Sequence, residues 1–200
     1  MAMKSKEDNQ TLPNSFYPQS RTELRNWLVA NHEREEAVWI ICYKKGSGMP
    51  TITWSEMVDE LLCFGWIDGK RNAIDHKKFK QFVCKRKPKS IWSKINKQKI
   101  LDLGEAGLMM PAGYRVIDAA KANGSWNTLV DVDDLVVPDD LEVAFAKLPG
   151  SKEYYMSLSN SVKKIILYWV ISAKMPETRA KRITDIAESA SQQLKPSHLR

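Results

Sequence analysis

The sequence predicts an α+β fold: a small antiparallel sheet with flanking helices, followed by a helical C-terminal subdomain. Three observations carry this expectation. Residues 37–43, AVWIICY, are dense in β-branched and aromatic side chains. Apolar residues in the second half recur at three- and four-residue spacing. Glycine and proline interrupt the first half at short intervals, leaving room for strands and short helices.

In chain order, residues 1–15 are polar and aperiodic and are expected to form a flexible N-terminal segment. Residues 16–130 are expected to form the α+β domain, 138–191 a helical subdomain that can share the same core, and 192–200 a flexible tail. Ser20 with Glu23 three positions later marks a helix start, with Leu24, Trp27 and Leu28 on its apolar side. The charged EREE connection leads to the 37–43 strand, which KKGSGMP stops. Thr53 and Glu56 form a second capping pair, and Trp54, Met57, Val58, Leu61 and Leu62 give that helix its buried side. Gly65 and Gly69 flank a short strand at Trp66-Ile67-Asp68. Residues 78–86 are expected to alternate outward cations with inward Phe79, Phe82 and Val83. The sheet is thus assigned to 37–43, 66–74 and 78–86. Ser90 is expected to cap a helix running through IWSKINKQKILDL, with Ile91 and Ile95 on one side. Further helices are expected over 112–122, from Asp139, over 161–174 and from Pro176, with LVDVDDLVVPDD as the linker between halves.

Charge is concentrated rather than spread. The chain carries 31 Lys and Arg against 24 Asp and Glu, net +7, yet residues 68–99 alone hold 12 basic and 2 acidic residues. If these share a face, their fields add and attract an anionic small molecule, an acidic partner or nucleic acid. No run of about 18 apolar residues is present, so no transmembrane segment is expected, and a cytoplasmic location follows. Cys42, Cys63 and Cys84 are odd in number and sit in apolar settings, which points to reduced thiols; Cys84 lies in the most basic surroundings. His32, His76 and His198 are too sparse for a metal site, and no cofactor motif is present. There is no nucleophile elbow, and catalytic residues are unassigned.

Three stretches are candidate ligand sites. In YKKGSG, Lys44 and Lys45 supply charge while Gly46 and Gly48 let backbone amides approach an anion beside a helix start; a plain strand-to-helix turn is the alternative. In FGWIDGKR, Trp66 can stack on a planar group and Asp68 can orient Lys70 or Arg71, or simply stabilise a tight turn. In CKRKPKSIWSKIN, Arg86 and Lys89 can position phosphates near Trp92 and Asn96, unless Trp92 packs inward.

The segments YKKGSGMPTITWSEMVDELLCFGWIDGKR, RKPKSIWSKIN, MMPAGYRVIDAAKANGSW and AKMPETRAKRI resemble the bacterial YdeI/OmpD-associated, or bacteriocin-protection, family over most of residues 20–186. The resemblance implies a role in stress or bacteriocin tolerance and brings no assigned active residues. The expected function is a noncatalytic binding protein with an anionic ligand or partner. Two alternatives stand beside it: a small-molecule enzyme with a cleft around Asp68, and a protein-interaction module built on the C-terminal helices.

Overall fold

The computed structural model describes residues 14–200. Most of the segment expected to be flexible, 1–15, lies outside the described residues. The chain divides into two compact units: one runs to Ser90 and takes in Ile95–Trp126, and the other comprises Ile91–Lys94 and Asn127–Arg200.

The first unit is built on a four-stranded mixed sheet. Its strands are β1 (Ser15–Phe16), β2 (Ala37–Tyr43), β3 (Trp66–Ala73) and β4 (Lys78–Lys85), in the order β1-β2-β4-β3. The three expected strands are present and mutually antiparallel through β4. The addition is β1, which pairs parallel to β2 and places Ser15 in the sheet. Asn14 secures it, because its carbonyl accepts from Trp39 N–H and its side-chain amide donates to the Ala37 carbonyl.

Strand parity decides which residues reach the core. Val38, Ile40 and Cys42 are buried while their odd-numbered neighbours are only partly so, and register pairs Val38 with Val83 and Ile40 with Gln81. Gln81 therefore points inward, and Phe82 lies on the opposite face, contrary to the expected alternation. Gln81 is accommodated because its amide donates to the Gly69 carbonyl at 2.7 Å.

The helices of this unit are α1 (Arg21–Asn31), α2 (Trp54–Cys63), most of α3 (Lys94–Glu105) and α4 (Pro111–Ala122). Ser20 caps α1 by accepting from Glu23 N–H, and Thr53 with Glu56 forms a complete capping box on α2. Leu24 and Leu28 are fully buried, each stabilising the fold by about 1.5–3 kcal/mol. Trp54 is 50% exposed rather than buried, since its Nε1 reaches across to Asp68 Oδ2 at 3.1 Å. The α3 helix starts at Lys94, not after Ser90, whose N–H closes a turn onto Lys87; Ile95 is accordingly exposed. Helix α4 sits close to the end of α2: a Cβ on Gly113 would lie 2.4 Å from the Cys63 carbonyl oxygen.

The second unit contains α5 (Val130–Asp133), α6 (Asp139–Ala146), α7 (Ser151–Ser157), α8 (Asn160–Ile171) and α9 (Pro176–Ser191). Leu141, Phe145, Tyr155, Ile166, Leu167, Val170 and Ile186 form its core, with α9 packed against α6, α7 and α8. Val132 joins this core, so the acidic stretch expected as a linker is part of the helical unit. Residues 192–200, expected as a flexible tail, include a 3₁₀ turn at Ser197–Leu199. Ser197 bonds Asp185 and His198 stacks on Trp169 at 3.8 Å.

Candidate functional site

The sheet face turned away from the helices carries three of the twelve cations of the basic segment, Lys70, Lys78 and Lys80. Period-two alternation puts Lys78, Lys80 and Phe82 of β4 on this face, opposite Tyr43, Ile41 and Trp39 of β2. On β3 a bulge between Asp68 and Arg71 sets two residues, Gly69 and Lys70, against Phe82. Gly69 lies against the Phe82 ring, where a Cβ would be 3.3 Å from Cδ1, and the Gln81 amide holds its carbonyl. The bulge turns Lys70 toward Trp39. Lys70 Nζ stands 5.7 Å and Lys80 Nζ 4.6 Å from the Trp39 ring centre, and Phe82 meets that ring edge-on at 5.2 Å.

No carboxylate occupies a strand position on this face. Lys78 has Asp75 of the hairpin turn 3.8 Å away, whereas Lys70 and Lys80 form no ion pair among the described residues. The result is a half-buried aromatic pair flanked by solvent-reaching ammonium groups.

The remaining sequence candidates fall elsewhere. Lys44 and Lys45 are exposed in a turn where Gly46 and Gly48 take φ of 88° and 76°. The helix start beyond it is already satisfied by its own residues, because Glu56 accepts from Thr53 N–H at 2.8 Å and its carboxylate occupies the positive end. Thr53 bonding also holds the Glu56 carboxyl below its usual range. Arg71 lies over the Phe79 ring at 3.8 Å. Asp68 accepts from Trp54, and its charge also acts on Arg86. Arg86 is buried, and desolvation lowers its guanidinium to about 10 despite Asp68. Lys89 is exposed, Asn96 is half-buried on α3, and Trp92 is buried in the segment assigned to the second unit.

Trp66 is 1% exposed and meets Trp27 edge-on at 5.9 Å. It nevertheless forms one wall of a cavity of about 260 Å³, together with Phe64, Lys85, Arg86, Arg115 and Val116. Two sequence candidates, Trp66 and Arg86, thus meet here. Trp39, Lys80 and Phe82 were not among the sequence candidates: Lys80 was expected to point outward, as it does, but Phe82 was assigned to the inward side, and the even-numbered series Lys78, Lys80, Phe82 was the available signal. Nothing in the sequence links Arg115 to Lys85.

A different set of charges is closed on itself. Glu60, 1% exposed on α2, accepts from Arg21 Nε at 2.6 Å and Arg25 Nη1 at 2.8 Å, while Lys99 Nζ reaches Asp59 at 2.5 Å and Ser55 at 2.9 Å. The thiols offer no activated nucleophile. Burial raises Cys42 to about 11 and also raises Cys63 and Cys84, the last despite Lys87 and Arg86. In the second unit, α6 and α9 border a groove of about 580 Å³ floored by Ala144, Leu148 and Ile183, with the Asp140–Arg179 pair at its rim. Among the described residues, no helix is long and apolar enough to cross a membrane.

No curated protein and no solved structure is significantly similar to the chain. The family model described as Bacteriocin-protection, YdeI or OmpD-Associated matches residues 134–193, the region of α6 to α9. That span is narrower than the 20–186 over which the sequence resembles the family; YKKGSG, FGWIDGKR and RKPKSIWSKIN fall outside it. They lie within residues 16–116, matched by the model of a domain of unknown function, DUF8412. This second match covers half of the chain, including β2, β3, β4 and the Trp66 cavity, and so the chain belongs to the DUF8412 family.

Proposed function

We propose that the chain is a noncatalytic binding protein that holds an anionic partner, single-stranded nucleic acid by preference, on the outer face of its sheet. The observation that carries this reading is the placement of Lys70 and Lys80 beside the Trp39 and Phe82 rings on a face whose strand positions carry no acid. Ammonium groups attract phosphates through released counterions, and every base has a π-face that an aromatic ring can stack on. A duplex shields those faces, so a single strand fits better. The bacteriocin-protection family matched over residues 134–193 suggests bacteriocin protection as the biological setting.

Enzymatic use of Asp68 is less well supported, because its carboxylate is already engaged by Trp54 Nε1. Fluorescence anisotropy of a short labelled oligothymidylate, titrated at several salt concentrations, tests the binding reading. Binding should weaken with salt, exceed that of the matching duplex, and lose roughly one to one and a half units of log–log salt slope when Lys70 and Lys80 are both changed to alanine. Salt-independent binding, or an unchanged slope in the double variant, refutes it.

A further inference from the structure

The Trp66 cavity carries a second inference, independent of the sheet face. It lies where the turn after α2 meets α4 and the end of β4, and two features of its lining point to a ligand. Trp66 is fully buried, yet its indole Nε1–H has no acceptor among the described residues. A buried donor left in this state is costly, and an acceptor atom in the adjoining space removes that cost. The second feature is charge: Lys85, Arg86 and Arg115 line the cavity against the single carboxylate of Glu33.

The cations differ in how firmly they are held. Lys85 Nζ is anchored at 2.9 Å to the Glu33 carbonyl and at 2.7 Å to Glu36. Arg115 approaches Glu33 only to 3.6 Å, with both side chains largely in solvent, so it is free to turn inward while Glu33 turns out. Arg86 carries its charge in a desolvated position, where an anion gains most. Phe64, Trp66 and Val116 supply apolar wall. Gly65, at φ 73°, brings α4 against this turn: a Cβ there would strike Val116 Cγ2 at 2.7 Å, so the cavity's shape depends on a residue without one.

We infer that the cavity binds a small phosphate monoester with an apolar body, its dianionic head facing Lys85, Arg86 and Arg115 and one acceptor oxygen taking the Trp66 Nε1–H. Outside the lining, Glu36 answers Lys85 and the charge of Asp68 acts on Arg86; a dianion is favoured over a carboxylate because its several oxygens can meet Arg86, Arg115 and the Trp66 Nε1–H together. The volume of about 260 Å³ admits a single-ring compound rather than a nucleotide chain.

Phenyl phosphate is the probe. Added to the nitrogen-15-labelled full chain, it should shift the Trp66 indole resonance, identified with a Trp66→Phe chain, and the shift should saturate. Arg115→Ala, an exposed position, should weaken the affinity about tenfold, as expected for loss of one charged contact. The Lys70→Ala, Lys80→Ala chain should bind phenyl phosphate as the parent does. Should Trp66→Phe not fold, calorimetric titration of the parent and Arg115→Ala chains reads the same affinities. No saturable response, or equal affinity in the parent and Arg115→Ala chains, overturns the site. Tighter binding of benzoate overturns the phosphate assignment, and equal binding of inorganic phosphate overturns the apolar body.

Discussion

Two groups of cations in the N-terminal unit, similar in composition, are arranged in opposite ways. Around Glu60, the three cations Arg21, Arg25 and Lys99 share the two carboxylates of Asp59 and Glu60 and are tied down by bonds of 2.5–2.9 Å. On the outer sheet face, Lys70 and Lys80 stand beside aromatic rings with no carboxylate to meet them. A buried carboxylate is tolerable only when its charge is answered, whereas an exposed ammonium group costs the fold almost nothing. The first arrangement stabilises the structure; the second leaves charge available to a partner. Local charge density in the sequence does not distinguish them, since Lys99 and Lys70 belong to the same basic segment.

The largest effect should follow from Glu60→Ala. Removing the one buried carboxylate takes the shortest ion pair from both Arg21 and Arg25, leaving Arg21 with Asp59 at 3.8 Å and Arg25 with the Leu108 carbonyl, and chemical denaturation should show a loss of about 3–5 kcal/mol. A loss under about 1 kcal/mol would erase the distinction between the two groups. Lys99→Ala removes a partly exposed partner of Asp59 and Ser55 and should cost about 1 kcal/mol, with oligonucleotide binding unaffected.

Tyr155 supplies an uncharged counterpart in the second unit. Its hydroxyl is buried without an acceptor among the described residues, and burial raises its ionisation to about 12 from 10.0. The unfolded chain therefore releases this proton first. The resulting stability is fully present below pH 10 and is lost as pH rises toward 12. Tyr155→Phe should raise stability by about 1 kcal/mol and flatten this part of the alkaline profile, measured by urea denaturation across the window. Lower stability in Tyr155→Phe would mean that the hydroxyl has an acceptor. Smallest of all should be the Lys70→Ala, Lys80→Ala pair: within about 0.5 kcal/mol of the parent in stability, despite its large expected effect on binding.

Local signals were legible in the sequence where the physics is local. Ser20 and Thr53 cap helices as their spacing predicts, because a capping bond spans only three residues. Three of the four strands, and the helices at Pro111, Asp139, Asn160 and Pro176, follow from composition and periodicity. The misses depend on distant partners. The two-residue strand β1 exists through its bonds to β2, far too short to declare itself. Trp54 is half in solvent because Asp68 offers it an acceptor fourteen positions away. The inward turn of Gln81 depends on the Gly69 carbonyl across the hairpin, and with it goes the turn of Phe82 to the outer face. Lys70, Trp66 and Arg86 were candidates from the sequence, but their neighbours were not legible, because a surface is defined by which strands pair and a cavity by where α4 lands.

The central position of β4 also sets an order of assembly. Its pairing with β3 closes a short hairpin turn, a microsecond event in isolated peptides, whereas its pairing with β2 must first close the long loop that contains α2. Loop-closure entropy therefore makes β3–β4 the early partner and β2, with β1 on its far edge, the later one. Weakening the hairpin should slow refolding, while loosening β1 should chiefly hasten unfolding. The strand that presents Lys80 and Phe82 to solvent is thus also the one on which the rest of the sheet is assembled.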